Sequence, residues 1–330
     1  MDASTFSRFL TQIAQLSRSQ CAQVLALLQP VVNQGQVVDL IEKAVTGQLH
    51  CPRCQGNSLY RHGAKHGLQR FRCRACGRTF NSLTGTPLAR LRHKDKWLAY
   101  ADCLLDSRTV RKAASCVEVA KNTSMRWRHR FLARTKEDRP GSLSGIAEAD
   151  ETFLLESQKG ARDMTRPARK RGGHASKRGM SHEQVGILVG RDRSGATHDF
   201  VTGRGPLTSS QLKQHLQPVL ASDALLVTEG HQVYRSFARQ TGISHASVNL
   251  HVNLRVKLHV NLHASERGGG AIHVQNVNAY HSRFHTWLKA FNGVATRYLP
   301  NYLGWRWAID QQRIHSPATL LSAAIGVFHI

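Results

Sequence analysis

Four cysteines in two CxxC pairs place the strongest constraint on how this chain can fold. Cys51 and Cys54 are separated from Cys73 and Cys76 by a spacer of 18 residues, which is typical of a zinc site with four thiolate ligands. Zn²⁺ accepts four thiolates tetrahedrally and then has no open position, so such a site stabilises a fold and performs no chemistry. The sequence therefore predicts a structural zinc ribbon, with two redox-active dithiols as the alternative.

Basic and aromatic residues lie between the two cysteine pairs. A ribbon hairpin that carries arginines is suited to contact phosphate groups. We therefore predict that this hairpin binds DNA through Arg61, Arg70 and Arg72.

The charge balance of the whole chain supports a polyanionic partner. The chain has 46 Lys and Arg residues against 21 Asp and Glu residues, a formal net charge of +25. Double-stranded DNA is the obvious candidate. We expect no membrane association, since no run approaches the ~18 apolar residues of a spanning helix, and no signal peptide. Seven cysteines, four of them in CxxC pairs, fit a reducing intracellular compartment.

Two helical segments flank the ribbon. Residues 4–29 carry apolar residues at helical spacing and are followed by Pro30, which predicts a packing helix that ends there. Residues 93–134 have the small residues and the turn of a helix-turn-helix. Its second helix would present Lys121, Arg126 and Arg128 to DNA; an ordinary basic helical hairpin is the alternative.

After residue 143 the pattern changes to alternating strands and helices. The first strand carries Asp150, and the fourth ends at Glu229. A basic, glycine-rich loop at 159–181 separates the first two strands and is predicted to fold onto phosphates through Lys170 and Arg171.

The element order in this region predicts an α/β fold with a mixed sheet of the RNase H-like type. Three strands are followed by helix, strand, helix, strand and a final long helix at 276–291. In this fold, acidic residues on the first strand and after the fourth strand meet at one edge of the sheet. Asp150 and Glu229 occupy those positions, where carboxylates can hold two Mg²⁺ ions.

Several long stretches together resemble the IS1595-type insertion-sequence transposases. These proteins carry an N-terminal zinc ribbon and an ISXO2-like DDE-type catalytic domain. The resemblance covers nearly the whole chain. The stretches that carry it are CPRC…CRAC with GRTFNSLTGTPLARL, VRKAASCVEV…WRHRFL, EADETFLLESQKG, VTEGHQVY and HVQNVNAYHSRFHTWLKAFNGVATRYLPNYLGWRW.

The resemblance implies a DNA transposase that uses Mg²⁺ or Mn²⁺ to cleave element ends and join them to target DNA. The third ligand position, commonly Asn in that family, is Asn278, with Asn276 as the alternative. A protein that acts on two ends is expected to be a homodimer or a larger assembly. Its expected location is the bacterial cytoplasm, in association with the nucleoid.

Three features depart from the family pattern. Glu229 stands where the family usually has Asp, and its extra methylene displaces the carboxylate by more than ~1 Å, which can cost about a hundredfold in rate. His285, seven residues after Asn278, stands where the family usually has a catalytic Lys; Arg283 is a possible substitute for that charge. Residues 249–264 repeat a four-residue unit four times with strand-like alternation. We interpret this repeat as a slippage expansion, with a basic hairpin that faces DNA as the alternative.

We therefore expect five segments. They are an N-terminal helical segment at 1–46, the zinc ribbon at 47–92, a helix-turn-helix at 93–140, the RNase H-like domain at 143–292 and a C-terminal cap at 293–330. The leading function is an active transposase. The alternatives are a catalytically impaired relic that only binds DNA and a structure-selective nuclease.

Overall fold

The computed structural model describes residues 2–47, 49–139, 141–170, 173–177, 179–248 and 272–328. The chain divides into two compact units. The first unit comprises Met1–Arg134 and Arg313–Ile330, and the second comprises Thr135–Gln312. Arg171 and the repeat at 249–264 lie outside the described residues.

Two helices begin the first unit: α1 at Ala3–Ile13 and α2 at Arg18–Val45. Reciprocal side-chain and backbone hydrogen bonds between Ser17 and Gln20 form a capping box that fixes the start of α2. The prediction that the helix ends at Pro30 is wrong, because α2 continues through this residue. Proline removes one backbone hydrogen bond, and the exposed position of Pro30 leaves room for the local distortion.

The amino-terminal half of α2 has an exposed apolar face. Its large aliphatic side chains are between 47% and 75% exposed: Leu25, Leu27, Leu28, Val31 and Val32. By length and composition alone α2 could cross a membrane, although core helices and signal sequences meet the same criterion. The sequence predicts no membrane-spanning segment, because Gln, Asn and Ser interrupt the apolar run. Helix α2 nevertheless meets the criterion, since residues 19–38 contain no charged residue.

The ribbon is a three-stranded antiparallel sheet. Its strands, in the spatial order β1-β2-β3, are β1 at Leu59–Lys65, β2 at Leu68–Cys73 and β3 at Thr79–Asn81. The β1–β2 turn consists of His66 and Gly67, both with positive φ, as a tight hairpin turn requires.

A group of helices completes the first unit. These are α3 at Trp97–Leu105, α4 at Val110–Cys116, α5 at Lys121–Phe131 and α10 at Pro317–Ile325, numbered in chain order. Trp97, Tyr100, Trp127 and Phe131 form an edge-to-face aromatic core between α3 and α5. The C-terminal helix α10 packs against α3, α5 and α2. The expected cap at 293–330 is therefore divided, since residues from 313 onward belong to the first unit.

The second unit contains a five-stranded mixed sheet in the order β6-β5-β4-β7-β8. Its strands are β4 at Ile146–Leu155, β5 at Gln184–Asp192, β6 at Thr197–Arg204, β7 at Leu225–Thr228 and β8 at Ser244–Ser247. The first three strands pair antiparallel, whereas β7 pairs parallel with both β4 and β8. This strand order confirms the predicted RNase H-like arrangement.

Helices lie against both faces of this sheet. They are α6 at Ser209–His215, α7 at Gln232–Thr241, α8 at Gln275–Lys289 and α9 at Leu299–Asp310. Ala147 and Ala149 of β4 join a core with residues of α6 and α7, while α8 contacts β4 and β5. Since side chains alternate between the faces of a strand, the even-numbered residues of β4 face α8.

The core of the second unit is sensitive to cavity formation at Leu188. This β5 residue is fully buried in the cluster with α6 and α7. We expect Leu188→Ala to lower the free energy of unfolding by about 2–5 kcal/mol, because the lost contacts leave a cavity. Met164→Ala removes a side chain that is 47% exposed. This control should change the free energy of unfolding by less than about 0.5 kcal/mol. Urea unfolding of both variants checks this, and equal effects would contradict the assigned core.

Candidate functional site

The even-numbered side chains of β4 meet successive turns of α8. Oδ2 of Asp150 lies 3.7 Å from Nδ1 of His281. One step along each element, the hydroxyl of Thr152 forms a 2.7 Å hydrogen bond with Nε2 of His285. Two strand residues and four helix residues advance by similar lengths, about 6–7 Å. The two elements therefore run in register beside each other.

Glu229 joins this edge from the neighbouring strand. The pairing of Glu148 with Val227, continued by two residues, places Glu229 level with Asp150. The strand β7 ends at Thr228, and Gly230 has φ of 82°, so the chain turns away directly after the acid. Nδ2 of Asn278 donates a 3.4 Å hydrogen bond to Oε1 of Glu229. The structure thus brings the three predicted ligand positions together and favours Asn278.

The carboxylate of Asp150 lies in a negative and poorly solvated environment. Burial is the main cause that raises its pKa to about 7, and Glu151 and Glu229 raise it further. No cationic group among the described residues offsets this rise in the pKa of Asp150. A divalent cation would relieve both effects, because it compensates the charge that burial and like neighbours penalise. Two carboxylates and one amide oxygen are ligands that Mg²⁺ and Mn²⁺ accept, so the residues fit such an ion.

The two histidines of α8 are held in their neutral forms. Burial, with a smaller contribution from His285, lowers the pKa of His281 to about 4. Burial and the neighbouring Lys289 also lower the pKa of His285. His285 therefore does not supply the positive charge expected at its position. The expected substitute, Arg283, binds Asp310 through two guanidinium nitrogens at 3.0 and 3.2 Å.

The sequence alone left the roles of several residues of this region open. The hydroxyl of buried Tyr234 donates a 2.6 Å hydrogen bond to Glu151, the acid next to Asp150 on the opposite face of β4. Burial and Glu151 raise the pKa of Tyr234 well above its usual value, so it remains a donor. Thr152 went unnoticed in the sequence, although spacing could have found it, since 148, 150 and 152 share a strand face as 277, 281 and 285 share a helix face.

The four cysteines of the ribbon form one compact cluster. Their Sγ atoms all lie within 4.8 Å of one another, and two pairs, Cys51 with Cys76 and Cys54 with Cys73, are 3.6 Å apart. A tetrahedral ion with Zn–S bonds of about 2.3 Å requires sulfurs about 3.8 Å apart, so the cluster fits Zn²⁺. Backbone N–H groups of Arg53 and Cys54 lower the pKa of Cys51 to about 6, which favours the thiolate.

Comparison with known proteins identifies the two parts of the chain. Residues 142–307 match the family profile of the ISXO2-like transposase domain, and residues 45–77 match the InsA N-terminal domain. The chain belongs to the ISXO2-like transposase family. The family match spans Asp150, Glu229, Asn278 and His285, and the InsA match spans all four zinc-site cysteines.

Two curated relatives are named after mobile elements. An uncharacterised protein of transposable element ISH50 from Halobacterium salinarum is 26% identical over 261 residues, which cover 77% of this chain and 83% of the relative. The insertion element iso-IS1N protein InsA from Shigella dysenteriae is 56% identical over 43 residues, 13% of this chain and 47% of the relative.

Solved structures with detectable similarity are distant. A simian T-cell lymphotropic virus intasome structure has a TM-score of 0.30 at 10% identity, covering 66% of this chain and 70% of the other. A pre-cleavage Mos1 transpososome has a TM-score of 0.23 at 14% identity, covering 66% and 79%. The fold assignment rests on the strand order and the family match.

The first unit of this transposase contains a basic cleft of ≈ 1510 Å³. It is formed by ribbon strands, the loop that follows β3 and helix α5, and no acidic side chain is among its described lining residues. Two predicted DNA-binding residues, Arg70 and Arg126, lie in it. The cleft also contains basic residues that were missed from the sequence, namely Arg53, Lys65, Arg90, Arg92, Lys94 and Arg130. Three of its non-glycine lining residues have positive φ, namely His66, Arg90 and His93.

Other predicted DNA-binding residues have different environments. Arg61, Arg72 and Lys121 are exposed, as expected for residues that contact DNA. Arg128 is 1% exposed and donates a hydrogen bond to the carbonyl of Arg108. This corrects its assignment, because a guanidinium held within the helical core cannot reach phosphate.

The basic loop after β4 is partly tied to a buried acid. Arg166 of the loop and Arg204 of β6 bind the two carboxylate oxygens of Glu156 at 3.0 and 2.9 Å. Lys170 is exposed and remains a candidate for phosphate contact. The loop therefore contains a structural arginine, Arg166, as well as an exposed lysine, Lys170.

The raised pKa of Asp150 predicts a pH-dependent stability of the protein without Mg²⁺ or Mn²⁺. The folded-state pKa of about 7 lies above the usual aspartate value of 3.8. The contribution of protonated Asp150 to the stability is therefore complete below about pH 4 and is lost as the pH rises through 7. At pH 8, Asp150→Asn should be more stable than the unmodified chain by up to about 4 kcal/mol. The gain should vanish near pH 4.

Urea unfolding at pH 4 and pH 8, with zinc retained, checks this prediction. Added Mg²⁺ should stabilise the unmodified chain at pH 8 and should have little effect on Asp150→Asn, because binding to the folded state shifts unfolding by mass action. An identical pH profile for the two proteins would show that Asp150 is not under electrostatic stress.

Proposed function

We propose that this transposase binds the ends of its insertion sequence and catalyses divalent-metal-dependent strand cleavage and transfer. The observation that carries the proposal is the convergence of Asp150, Glu229 and Asn278 at one edge of the sheet, where no cationic group of the described residues compensates Asp150. A catalytic centre whose carboxylates repel each other is prepared to bind cations. Mg²⁺ or Mn²⁺ would be held by these three side chains.

Each side chain has a distinct part in this proposal. When bound, two divalent ions can activate an attacking oxygen and stabilise the leaving oxygen of a phosphodiester. Asp150 and Glu229 supply the negative charge, while Asn278 supplies a neutral oxygen and keeps contact with Glu229. His285 is bound to Thr152 and helps to hold α8 against β4.

A second candidate function is DNA binding without catalysis. Two observations favour it: the family Asp is replaced by the longer Glu229, and the family Lys is replaced by His285, whose pKa is lowered by burial and by Lys289. In that case the first unit would still recognise the element ends. The zinc cluster would hold the ribbon that lines the basic cleft, since structural zinc supplies folding free energy to small modules.

We further propose that the basic cleft is where the first unit holds double-stranded DNA. Its lining combines many cationic side chains with no described acid, so a phosphate backbone would meet attraction throughout. Arg70 and Arg126 come from the ribbon and from α5 respectively, which links both predicted DNA-binding modules to one cleft. Terminal repeats and target DNA in the nucleoid are the proposed ligands.

The exposed face of α2 supports a homodimer. Apolar or small residues recur at alternating steps of three and four, namely Cys21, Val24, Leu28, Val31 and Gly35, which is the spacing of a helix that packs along another helix. In a chain of net charge +25, two copies repel each other except where charge is low. Residues 19–38 carry none, so a second copy of the same helix is the occupant that best fits this face.

Cleavage of element ends tests the catalytic proposal. DNA duplexes that carry the element's own terminal repeats are incubated with Mn²⁺ or Mg²⁺, and release of 3′ ends is followed for the unmodified chain, Asp150→Ala and Glu229→Asp. We expect cleavage by the unmodified chain, loss of cleavage in Asp150→Ala, and a gain of up to about a hundredfold in Glu229→Asp, because the carboxylate is repositioned by about 1 Å.

Other outcomes decide between the two candidate functions. Binding without cleavage by the unmodified chain, restored by Glu229→Asp, would establish the impaired form. If the double variant Glu229→Asp with His285→Lys also binds the ends and leaves them uncut, the catalytic proposal fails. Cleavage that ignores the repeat sequence would point to a structure-selective nuclease.

Light scattering during size-exclusion chromatography tests the homodimer. Leu28→Glu combined with Val31→Glu should convert a dimer to a monomer, because it places like charges at the centre of the proposed contact. The matched control, Gln23→Glu with Ala26→Glu, adds the same charges on the opposite side of the same helix and should leave the dimer intact. An unmodified chain that is monomeric, or one bound through α2 to lipid vesicles instead, would rule out this interface.

A further inference from the structure

A buried acid lies on β4 two residues before Asp150. Glu148 is 0% exposed and faces α8. Its Oε2 accepts a 2.9 Å hydrogen bond from the backbone N–H of Val277. Its Oε1 lies 2.5 Å from Nη1 of Arg193 and 3.3 Å from Nδ1 of His273. Both carboxylate oxygens are therefore engaged by the protein, so Glu148 is not a further metal ligand.

The hydrogen bond to Val277 serves the first turn of α8. This helix begins at Gln275, and its N-cap residue, Val274, makes no side-chain capping bond. The first backbone N–H groups of a helix have no partner within the helix, and a negative charge there is favourable. Nδ1 of His273 accepts a 3.3 Å hydrogen bond from the N–H of Gln275, and Glu148 accepts that of Val277 from the neighbouring strand.

Arg193 connects the same carboxylate to a third element. It directly follows β5, and its backbone N–H donates to the carbonyl of Ile146 at 3.2 Å. A buried carboxylate without a cationic partner would be strongly destabilising. Arg193 is that cationic partner, so the contact joins β4, the β5–β6 turn and α8 at one point.

We infer that Glu148, supported by Arg193 and His273, is a positioning residue that sets the register of α8 along β4. Asn278 directly follows Val277 in α8, and Asp150 lies on the same face of β4 as Glu148. The contact therefore fixes how far the third ligand lies from the first. A slip of one helix residue would move Asn278 by about 1.5 Å along the axis, and displacements of about 1 Å can cost a hundredfold in rate.

This inference rests on the proposed catalytic function, because it assigns Glu148 a role only in the geometry of that site. Glu148→Gln keeps the size of the side chain and removes its charge. We expect unchanged binding of element ends, a cleavage rate lowered by about ten- to a hundredfold, and a higher Mn²⁺ concentration for half-maximal cleavage. If the unmodified chain does not cleave, the comparison is made in the Glu229→Asp background.

Glu156→Gln is the matched control. Glu156 is another buried acid of the second unit, 5% exposed, which also binds arginines, namely Arg166 and Arg204. Its removal should cost stability without a change in the Mn²⁺ dependence. A shift in both variants alike would assign the effect of Glu148 to general stability and would overturn the inference.

Hydrogen exchange provides a readout that does not depend on cleavage. In Glu148→Gln, the amides of residues 277–279 should exchange at least about tenfold faster than in Glu156→Gln, because the charged acceptor at the start of α8 is weakened. Unchanged exchange together with unchanged Mn²⁺ dependence would overturn the positioning role. If no background cleaves DNA but exchange responds as expected, the catalytic proposal fails while the contact that sets the register of α8 stands.

Discussion

The alternation of side chains along β4 is the constraint on which the second unit depends. Ala147 and Ala149 are small and fully buried, which lets α6 and α7 pack closely on one face. Glu148, Asp150 and Thr152 project to the other face and meet α8 at three successive levels. One strand therefore builds the core with half of its residues and the candidate site with the other half. A shift of one residue would exchange the two sets.

The basic residues of the two units have different environments. Several arginines of the second unit bind buried acids: Arg139 with Asp199, Arg191 with Asp310, Arg193 with Glu148 and Arg204 with Glu156. These pairs contribute to the fold and leave little charge for DNA. The cleft of the first unit is different, because its basic residues face one another without described acids. The formal charge alone thus overstates how many cations are available to a polyanion.

Glu229 and His285 stand where the resembling family usually has Asp and Lys. The first difference changes a distance, and the second changes a charge. Under the proposed catalytic role, Glu229 retains the charge and the place after β7, so its expected effect is one of distance. His285 retains its place on α8 but loses the charge, since burial and Lys289 keep it neutral. Distance and charge can be restored separately, which is why the two substitutions are informative about activity in different ways.

Much of the architecture followed from the sequence because it is encoded locally. The cysteine spacing defined the zinc cluster, and the succession of strands and helices defined the mixed sheet with Asp150 and Glu229 at its edge. Asn278 and His285 required the family resemblance, because an amide and a neutral histidine have no compositional signature of a metal site. Pro30, the divided C-terminal segment and buried Arg128 were misjudged, since each depends on what lies next to it in space.

The sequence by itself determined which residues can bind metal and which element each belongs to, and its net charge predicts a polyanionic partner. Only the tertiary structure decided which of these groups are free to act. Glu148 and Asp150 are both acids on the same face of the same strand, yet the first is neutralised by Arg193 and the second by no described cation. That difference arises from side chains distant in sequence, because burial and neighbouring charges, and not residue type, set the electrostatics of a carboxylate.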